Sequence, residues 1–172
     1  MNLFSSRVFV AETGSRGRGV FAKAHITTGE VFDFSDESWK LTEADTVKTL
    51  PRKLLCLCCE YEHDPRFMVC PTDFTAPPIS HIVNHSCDPN MASTDNYETV
   101  VTLRNISPGE ELTFDYATFN TGTDEFYCTC GAACCRGYVT GMDWRIPSLQ
   151  ERLSGYFQKN IQEKIDALKR QG

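Results

Sequence analysis

Four cysteines lie within eight residues near the end of the chain: Cys128, Cys130, Cys134 and Cys135. A helix or a strand would scatter their thiols, whereas a loop wrapped around one zinc ion could gather three of them. A tetrahedral site needs a fourth ligand, and the adjacent Cys134 and Cys135 are poorly placed to bind the same ion. Cys87 is the natural candidate, because the turn-forming Asp-Pro-Asn after it would hold its thiol at a fixed angle.

Other interpretations of these residues are open on the sequence. Buried thiols behave as small hydrophobes, which fits the cysteines that lack ligand spacing: Cys56, Cys58, Cys59 and Cys70. His85 and Cys87 could share one face of an extended segment and act as a base and a thiol nucleophile. Such dyads need a third, orienting group, and the sequence offers none beside them. His85 could also be a core histidine bonded to backbone.

Length and composition bound the class of protein. A chain of 172 residues with 41% hydrophobic residues suits one compact domain. The net charge of -6, with no basic run, argues against nucleic-acid binding and favours a basic partner. No signal peptide or membrane span is predicted, so we expect an intracellular protein, cytoplasmic or nuclear. In a reducing compartment, nine cysteines indicate metal ligands sooner than disulfides.

The elements that must position these residues are mostly short strands. Val8–Glu12 and Gly19–Ile26 are predicted as strands around a turn, and a third strand follows Gly29. Residues 97–116 are predicted to form a hairpin with its turn at 107–109. An irregular helical insert is expected at about 40–77, and the apolar spacing from Ser148 onward predicts one amphipathic closing helix with a capping box.

Two further stretches could take part in a site. Gly17 and Gly19 flank Arg18, and two glycines one residue apart let backbone approach a ligand closely, although most such pairs are simply turns. The stretch G-E-E-L-T-F-D-Y alternates as a strand, with Phe114 as a core residue and Tyr116 as an amphipathic rim residue.

Read in order, G-R-G-V, N-H-S-C-D-P-N, G-E-E-L-T-F-D-Y and C-T-C-G-A-A-C-C-R-G resemble the SET-domain protein lysine methyltransferases with a post-SET zinc loop. The resemblance covers about residues 9–137. The family's post-SET pattern, C-x-C-x-x-x-x-C, selects Cys128, Cys130 and Cys135 and leaves Cys134 as a spare. The cysteine of the N-H-S-C segment, here Cys87, is the fourth zinc ligand in that family.

The resemblance implies a mostly β, α+β fold of small curled sheets with a pseudoknot, the SET-domain β-clip fold. The expected divisions are a SET domain at 1–119, a post-SET zinc loop at 120–140 and a C-terminal helical extension at 141–172. S-adenosylmethionine is expected to contact Gly17, Arg18, Gly19, Asn84 and His85. Tyr116 is expected to be the active-site tyrosine, with Phe114 and Tyr61 lining the substrate channel.

The implied function is methyl transfer to the side-chain amine of a protein lysine, in a histone or another basic protein. A Phe at position 114 favours di- or trimethylation in the family. The alternatives are methylation of a non-histone peptide or small amine, and a catalytically silent SET-like binding module. We expect no zinc-rich region of the kind that precedes many histone methyltransferase SET domains, and the tail after Gly137 does not match those enzymes. The sequence leaves the oligomeric state open.

Overall fold

Short β-strands are the main regular structure of the chain. The computed structural model describes residues 6–33, 38–55, 57–61, 64–94, 99–119 and 125–170. Within these ranges no strand is longer than five residues. The strands are β1 Val8–Glu12, β2 Arg18–Ala22, β3 Val31–Asp33, β4 Trp39–Glu43, β5 Cys59–Glu60, β6 Phe67–Pro71, β7 Asn84–His85, β8 Met91–Ser93, β9 Thr99–Thr102, β10 Glu111–Phe114, β11 Phe126–Tyr127 and β12 Tyr138–Val139. The predicted mostly β fold of small separate sheets is confirmed.

The largest sheet has the strand order β1-β2-β10-β7. β1 and β2 are antiparallel, and Val8, Val20 and Ala22 turn into the main apolar core because alternate residues of a strand share a face. β10 is antiparallel to β2 but parallel to β7. This parallel pair places the N-H-S-C segment directly beside the strand that leads to Tyr116.

The hairpin predicted for residues 97–116 is wrong. The turn forms, with the Glu110 N–H donating to the Ser107 carbonyl at 3.0 Å. However, β9 pairs with β3 and β8 in a second sheet, whereas β10 belongs to the first sheet. The reason lies between them, where Ile106 pairs with Ile26 and both side chains are fully buried. Burying this apolar pair draws the chain into the core and separates the two strands.

The insert is more sheet than helix, so the helical prediction for about 40–77 needs correction. β4, β6 and β5 form a three-stranded antiparallel sheet. Its helices are only one turn each, α1 Ala44–Val47 and α2 Arg52–Leu55. Pro51 lies between them, where it removes a backbone donor and limits helix length. A small core of Val47, Cys58 and Cys70 fixes the sheet to α1.

The C-terminal segment forms two helices instead of the single predicted one. They are α3 Pro147–Arg152 and α4 Lys159–Lys169. Gly155 lies between them with φ +84°, a backbone conformation that a helix cannot contain. The predicted capping box is also wrong, because α3 begins at Pro147 and no side chain caps it. None of the described helices is long and apolar enough to cross a membrane.

The two helices close a second apolar core against the end of the main sheet. Its buried members are Ala117, Trp144, Leu149, Leu153, Phe157, Ile161 and Ile165. Ala117 belongs to the segment that follows β10, and the other six belong to residues 141–170. The C-terminal extension is therefore packed onto the backbone that carries Tyr116.

We expect Ile161→Ala to lower the free energy of unfolding by about 2 to 5 kcal/mol, because Ile161 is fully buried in this second core. The matched control is Glu163→Ala, an exposed position on the same helix, which we expect to change stability by less than about 0.5 kcal/mol. Urea denaturation followed by circular dichroism measures both values. Equal, small effects would show that the extension does not contribute to the folded core.

Candidate functional site

Tyr116 lies just beyond the end of β10, at the start of a short 3-10 helix. The Asp115 carboxylate caps this helix by accepting the Ala117 backbone N–H at 3.1 Å. The Tyr116 hydroxyl donates to the Val83 carbonyl at 2.9 Å. Because a hydroxyl has one hydrogen, this bond commits that hydrogen to the protein and fixes the direction of the hydroxyl.

Aromatic rings surround Tyr116. Ring centroids of His85, Phe119 and Phe126 lie 5.2, 5.5 and 6.1 Å from that of Tyr116. Phe114 extends the group, packing edge-on against Phe119 at 5.8 Å. Phe114 is 6% exposed and belongs to the main core, so it joins this wall to the core. Its place in a substrate channel stays a prediction. An enclosure of this kind disfavours a charged amine and favours its neutral form.

His85 connects Tyr116 to the cysteines. Its Nδ1 accepts the Tyr116 backbone N–H at 3.2 Å, which assigns the ring hydrogen to Nε2. That Nε2 lies 3.4 Å from the Cys87 sulfur, so it donates to the thiol group. Burial lowers the pKa of His85 to about 4, against the opposing charge of Asp115, and the ring is neutral at physiological pH.

The nucleophile and base interpretation of His85 and Cys87 is inconsistent with this geometry. A general base needs a free ring nitrogen facing the thiol, whereas Nδ1 is occupied by backbone and Nε2 carries the hydrogen. His85 is buried and its Nδ1 accepts a backbone N–H, as the core-histidine interpretation predicts. Its contact with a cofactor stays a prediction.

The sulfurs of Cys87, Cys128, Cys130 and Cys135 all lie within 4.8 Å of one another. Four sulfurs around one zinc ion at about 2.3 Å would lie about 3.8 Å apart, so this group fits a tetrahedral metal site with small adjustments. It is the same set that the resemblance selects. The four ligands come from the loop after β7 and the loop between β11 and β12, so one ion would join them.

Backbone N–H groups point at these sulfurs, as they do around metal-bound thiolates. Arg136 N–H donates to the Cys87 sulfur at 3.4 Å, and Gly137 N–H to the Cys135 sulfur at 3.4 Å. Burial raises the pKa of Cys128 to about 11, and burial also raises the pKa of Cys87. A cation bound among the thiols would offset this penalty and hold them ionised.

Cys134 lies outside the four-sulfur group, although it is adjacent to Cys135. Its side chain is exposed, and its thiol donates to the Cys87 carbonyl at 3.3 Å. The guanidinium of Arg152 lies 2.8 Å from the same sulfur. Residues 132–135 form a turn that the Cys135 N–H closes by donating to the Ala132 carbonyl at 2.9 Å. Cys134 lies inside this turn and Cys135 at its end, so only Cys135 joins the group.

The glycine stretch packs against Asn84. Gly17 has φ +72°, and apart from its chain neighbours no atom of the described residues lies within 4 Å of where its side chain would begin, so its backbone could be approached by a ligand. A side chain at Gly19 would meet the Glu111 carboxylate at 2.4 Å and the Asn84 amide nitrogen at 3.0 Å. Gly19 is therefore required for close packing.

Asn84 is held in a fixed orientation on this surface. Its amide nitrogen donates to the Arg18 carbonyl at 3.0 Å and to Glu111 Oε1 at 2.8 Å. The other carboxylate oxygen of Glu111 pairs with Arg16 at 2.6 Å. With the nitrogen engaged by protein, the amide oxygen of Asn84 is the atom oriented for a ligand.

The sequence reasoning missed a buried group of charges beside Tyr116. Arg136 forms a two-pronged ion pair with Asp115 at 2.6 and 2.8 Å, and its Nε lies 2.6 Å from Asp143 Oδ2. The Nε contact is a charge pairing without hydrogen-bond alignment. One signal was available: Asp115 directly precedes the predicted tyrosine, and Arg136 directly follows the last predicted metal ligand.

Tyr61 lies in the insert, where its backbone N–H donates to the Phe67 carbonyl at 3.2 Å. Its place in a substrate channel stays a prediction. Cys56 lies outside the described residues.

Residues 17–117 match the model of the SET domain, which covers more than half of the 172-residue chain. The chain belongs to the SET domain family. The match takes in the glycine stretch, the N-H-S-C segment and Tyr116, so the family recognised from these motifs is confirmed.

Relatives of this SET domain are named as histone-lysine methyltransferases. Histone-lysine N-methyltransferase Set2 of Drosophila melanogaster is 45% identical over 69 residues, 37% of this chain and 3% of that protein. SUV39H2 of Xenopus tropicalis is 41% identical over 85 residues, 36% of this chain and 21% of that protein. Histone H3-lysine(4) N-trimethyltransferase ATX1 of Arabidopsis thaliana is 29% identical over 145 residues, 79% of this chain and 13% of that protein. The chain thus spans about a fifth or less of these relatives' lengths.

We expect the purified protein to bind about one transition-metal ion per chain, as measured by elemental mass spectrometry. Cys130→Ser should lose most of this metal, because it removes one of four converging ligands. Cys134→Ser is the matched control and should retain it, since Cys134 is outside the group. Equal metal loss in the two variants would contradict the assignment of ligands.

Proposed function

We propose that this chain is a protein lysine methyltransferase that uses S-adenosylmethionine. The observation that carries the proposal is the hydroxyl of Tyr116, fixed on the Val83 carbonyl inside an aromatic enclosure next to Asn84 and the glycine stretch. Family membership and the names of the relatives support the same reaction. Tyr116 is the proposed active-site tyrosine.

The proposed cofactor surface is formed by the backbone of Gly17, Arg18 and Gly19 with Asn84 and His85. Its residues fit such a ligand, because Gly17 has open space over its backbone and Asn84 is oriented by two hydrogen bonds. S-adenosylmethionine supplies an electrophilic methyl group on a positively charged sulfur. The chain holds the cofactor on this surface and aligns the acceptor amine.

The acceptor must be a neutral amine, which sets the main energetic requirement. With a pKa of about 10.4, roughly one lysine in 2,500 is neutral at pH 7. Removing the proton therefore costs a free energy of about 4.6 kcal/mol at that pH. The rings of His85, Phe119 and Phe126 around Tyr116 disfavour the ammonium form. No strong side-chain base is therefore needed.

Tyr116 acts mainly through alignment. Its hydrogen is committed to Val83, so its oxygen would accept one N–H of the neutral amine and direct the nitrogen lone pair toward the methyl group. Weak C–H to oxygen contacts with a methyl group are worth under about 1 kcal/mol each, whereas correct positioning of reactants is worth several kcal/mol.

The proposed metal is zinc in a structural role. Four thiolates close a tetrahedral coordination sphere and leave no position for water, so the ion would not act on substrate. It would hold the loop of residues 126–137 against the segment that contains His85. Phe126 belongs to that loop and packs on Tyr116, so loss of the ion would open the aromatic enclosure.

We infer a basic protein as substrate, a histone or another. The net charge of -6 favours such a partner, and the relatives named above are histone methyltransferases. A non-histone peptide or a small amine is the second candidate acceptor, and a silent binding module is the third reading. We expect the protein in the nucleus or the cytoplasm.

Radiolabelled S-adenosylmethionine with core histones and, separately, a cell extract tests the reaction. We expect label on lysine, and Tyr116→Phe should lower the rate by about 10- to 100-fold through lost alignment. Tyr138→Phe is the matched control, because it removes an exposed tyrosine hydroxyl that donates to the Glu125 carboxylate at 2.8 Å. Absence of transfer to every acceptor, with cofactor bound, would favour the silent module.

Phe114→Tyr tests the degree of methylation. We expect wild type to give di- or trimethyl-lysine. The added hydroxyl should hold a water that fills the space beside the amine and so shift the product toward monomethyl-lysine. Mass spectrometry of the methylated peptide measures the distribution. An unchanged distribution would refute the assignment of Phe114 to the channel.

A further inference from the structure

Arg136 is the centre of a buried charge group, the Arg136 cluster, formed with Asp115, Asp143 and Arg152. Both terminal nitrogens of Arg136 bond to the two Asp115 oxygens at 2.6 and 2.8 Å, and its Nε pairs with Asp143 at 2.6 Å. The exposed fractions of the Arg136, Asp115 and Asp143 side chains are 13%, 0% and 8%. Arg152, whose side chain is 36% exposed, lies at the edge of the cluster 4.0 Å from Asp115 and brings it to two positive and two negative charges.

Asp115 connects this cluster to the active-site tyrosine. One of its oxygens accepts the Ala117 N–H at 3.1 Å, and its carbonyl accepts both the Thr118 N–H at 3.0 Å and the Thr118 hydroxyl at 2.8 Å. These bonds define the helical turn that starts at Tyr116. A shift of the Asp115 carboxylate therefore moves the Tyr116 backbone.

Arg136 connects the same cluster to the loop of residues 126–137, which contains three of the four proposed metal ligands. It directly follows Cys135, and its backbone N–H donates to the Cys87 sulfur at 3.4 Å. Its side chain is anchored on Asp115 while its backbone supports a metal ligand. The position of the loop and the position of the tyrosine thus depend on one residue.

Asp143 comes from the C-terminal extension, beyond the residues that match the SET domain. Its Oδ1 accepts the Thr140 N–H at 3.2 Å and the Thr140 hydroxyl at 2.8 Å, which leaves Oδ2 directed at Arg136. The next residue, Trp144, is buried in the same apolar core as Ala117. The extension therefore fixes Asp143 rigidly relative to the Tyr116 turn.

We infer that Asp143 and Arg136 are positioning residues, through which the C-terminal extension sets the alignment of Tyr116 and the retention of the metal together. Removing one member of a buried charge cluster leaves another uncompensated, so the cluster responds as a unit. Arg136 reorients when Asp143 loses its charge, and Asp115 and the Cys87 contact move with it. The inference rests on the proposed function only for its catalytic consequence.

Asp143→Asn tests the inference, because it keeps the shape and the Thr140 bonds but presents an NH₂ group to Arg136. Three measurements are made below the melting temperature: kcat and KM, the rate of metal release to a chromogenic chelator, and the ring signal of Tyr116 in ¹³C-tyrosine-labelled protein. The signal is assigned by its loss in Tyr116→Phe.

We expect kcat to fall by about tenfold or more with a KM for the methyl donor within about threefold, because alignment is lost and binding is kept. Metal release should accelerate by about tenfold, as for other groups that support metal ligands. The Tyr116 signal should shift, and removal of metal from wild type should shift it too. Asp143→Glu should recover part of each effect.

Asp45→Asn is the matched control, because Asp45 forms an exposed ion pair with Lys48 far from this cluster in sequence, and all three measurements should stay at wild-type values. If Asp143→Asn does not fold, Arg136→Lys carries the same measurements, since it keeps the charge and loses the two-pronged geometry. An unchanged metal release rate and Tyr116 signal in a folded variant would overturn the inference.

Failure of the proposed function gives a different result. Wild type would then transfer no methyl group, while metal release and the Tyr116 signal still respond to Asp143→Asn if the coupling exists. In one further outcome, activity falls only in proportion to the unfolded fraction and the other two measurements are unchanged. Asp143 would then only stabilise the fold, and the proposed coupling would be wrong.

Discussion

The short parallel pairing of β7 with β10 is the contact on which the site depends. It sets Asn84 beside Thr113 and His85 beside Phe114, although some thirty residues separate them in sequence. From this one register, Asn84 faces the glycine stretch, His85 contacts Tyr116, and Cys87 meets the other three sulfurs. A shift of this register by one residue would turn every side chain of the strand to the opposite face, so these contacts could not form.

Two residues of pairing cannot stabilise this register alone, so other contacts must fix it. Asn90 is 1% exposed, and its amide bonds both the Glu111 carbonyl and the Thr113 N–H at 2.8 Å. Ser86 N–H extends the pairing to the Phe114 carbonyl at 2.8 Å. Each of these groups would be unsatisfied in the wrong register, which makes the buried polar bonds the source of specificity.

The sequence predicts local elements and chemistry better than it predicts long-range pairing. β1 and β2 follow from short stretches rich in Val, Phe and Ile around a turn, and the four sulfurs follow from spacing and resemblance. The supposed hairpin of β9 and β10 failed because Ile106 is buried against Ile26, a contact eighty residues apart that no local pattern encodes. The closing helix was predicted as one because its apolar spacing continues across Gly155, whose φ only the backbone reveals.

The Arg136 cluster cannot be predicted from the sequence for a related reason. A single charged residue forms no periodic pattern in the sequence. Its ion-pair partners can be identified only in the folded structure, where three separate segments meet. The family match ends at residue 117, yet the apolar core that starts at Ala117 is completed by residues 144–165. A SET domain cut at the end of its match would therefore expose Ala117 and leave the buried Asp115 without Arg136. The working unit of this chain includes its C-terminal extension, because the segment that carries Tyr116 is buried from both sides only when that extension is present.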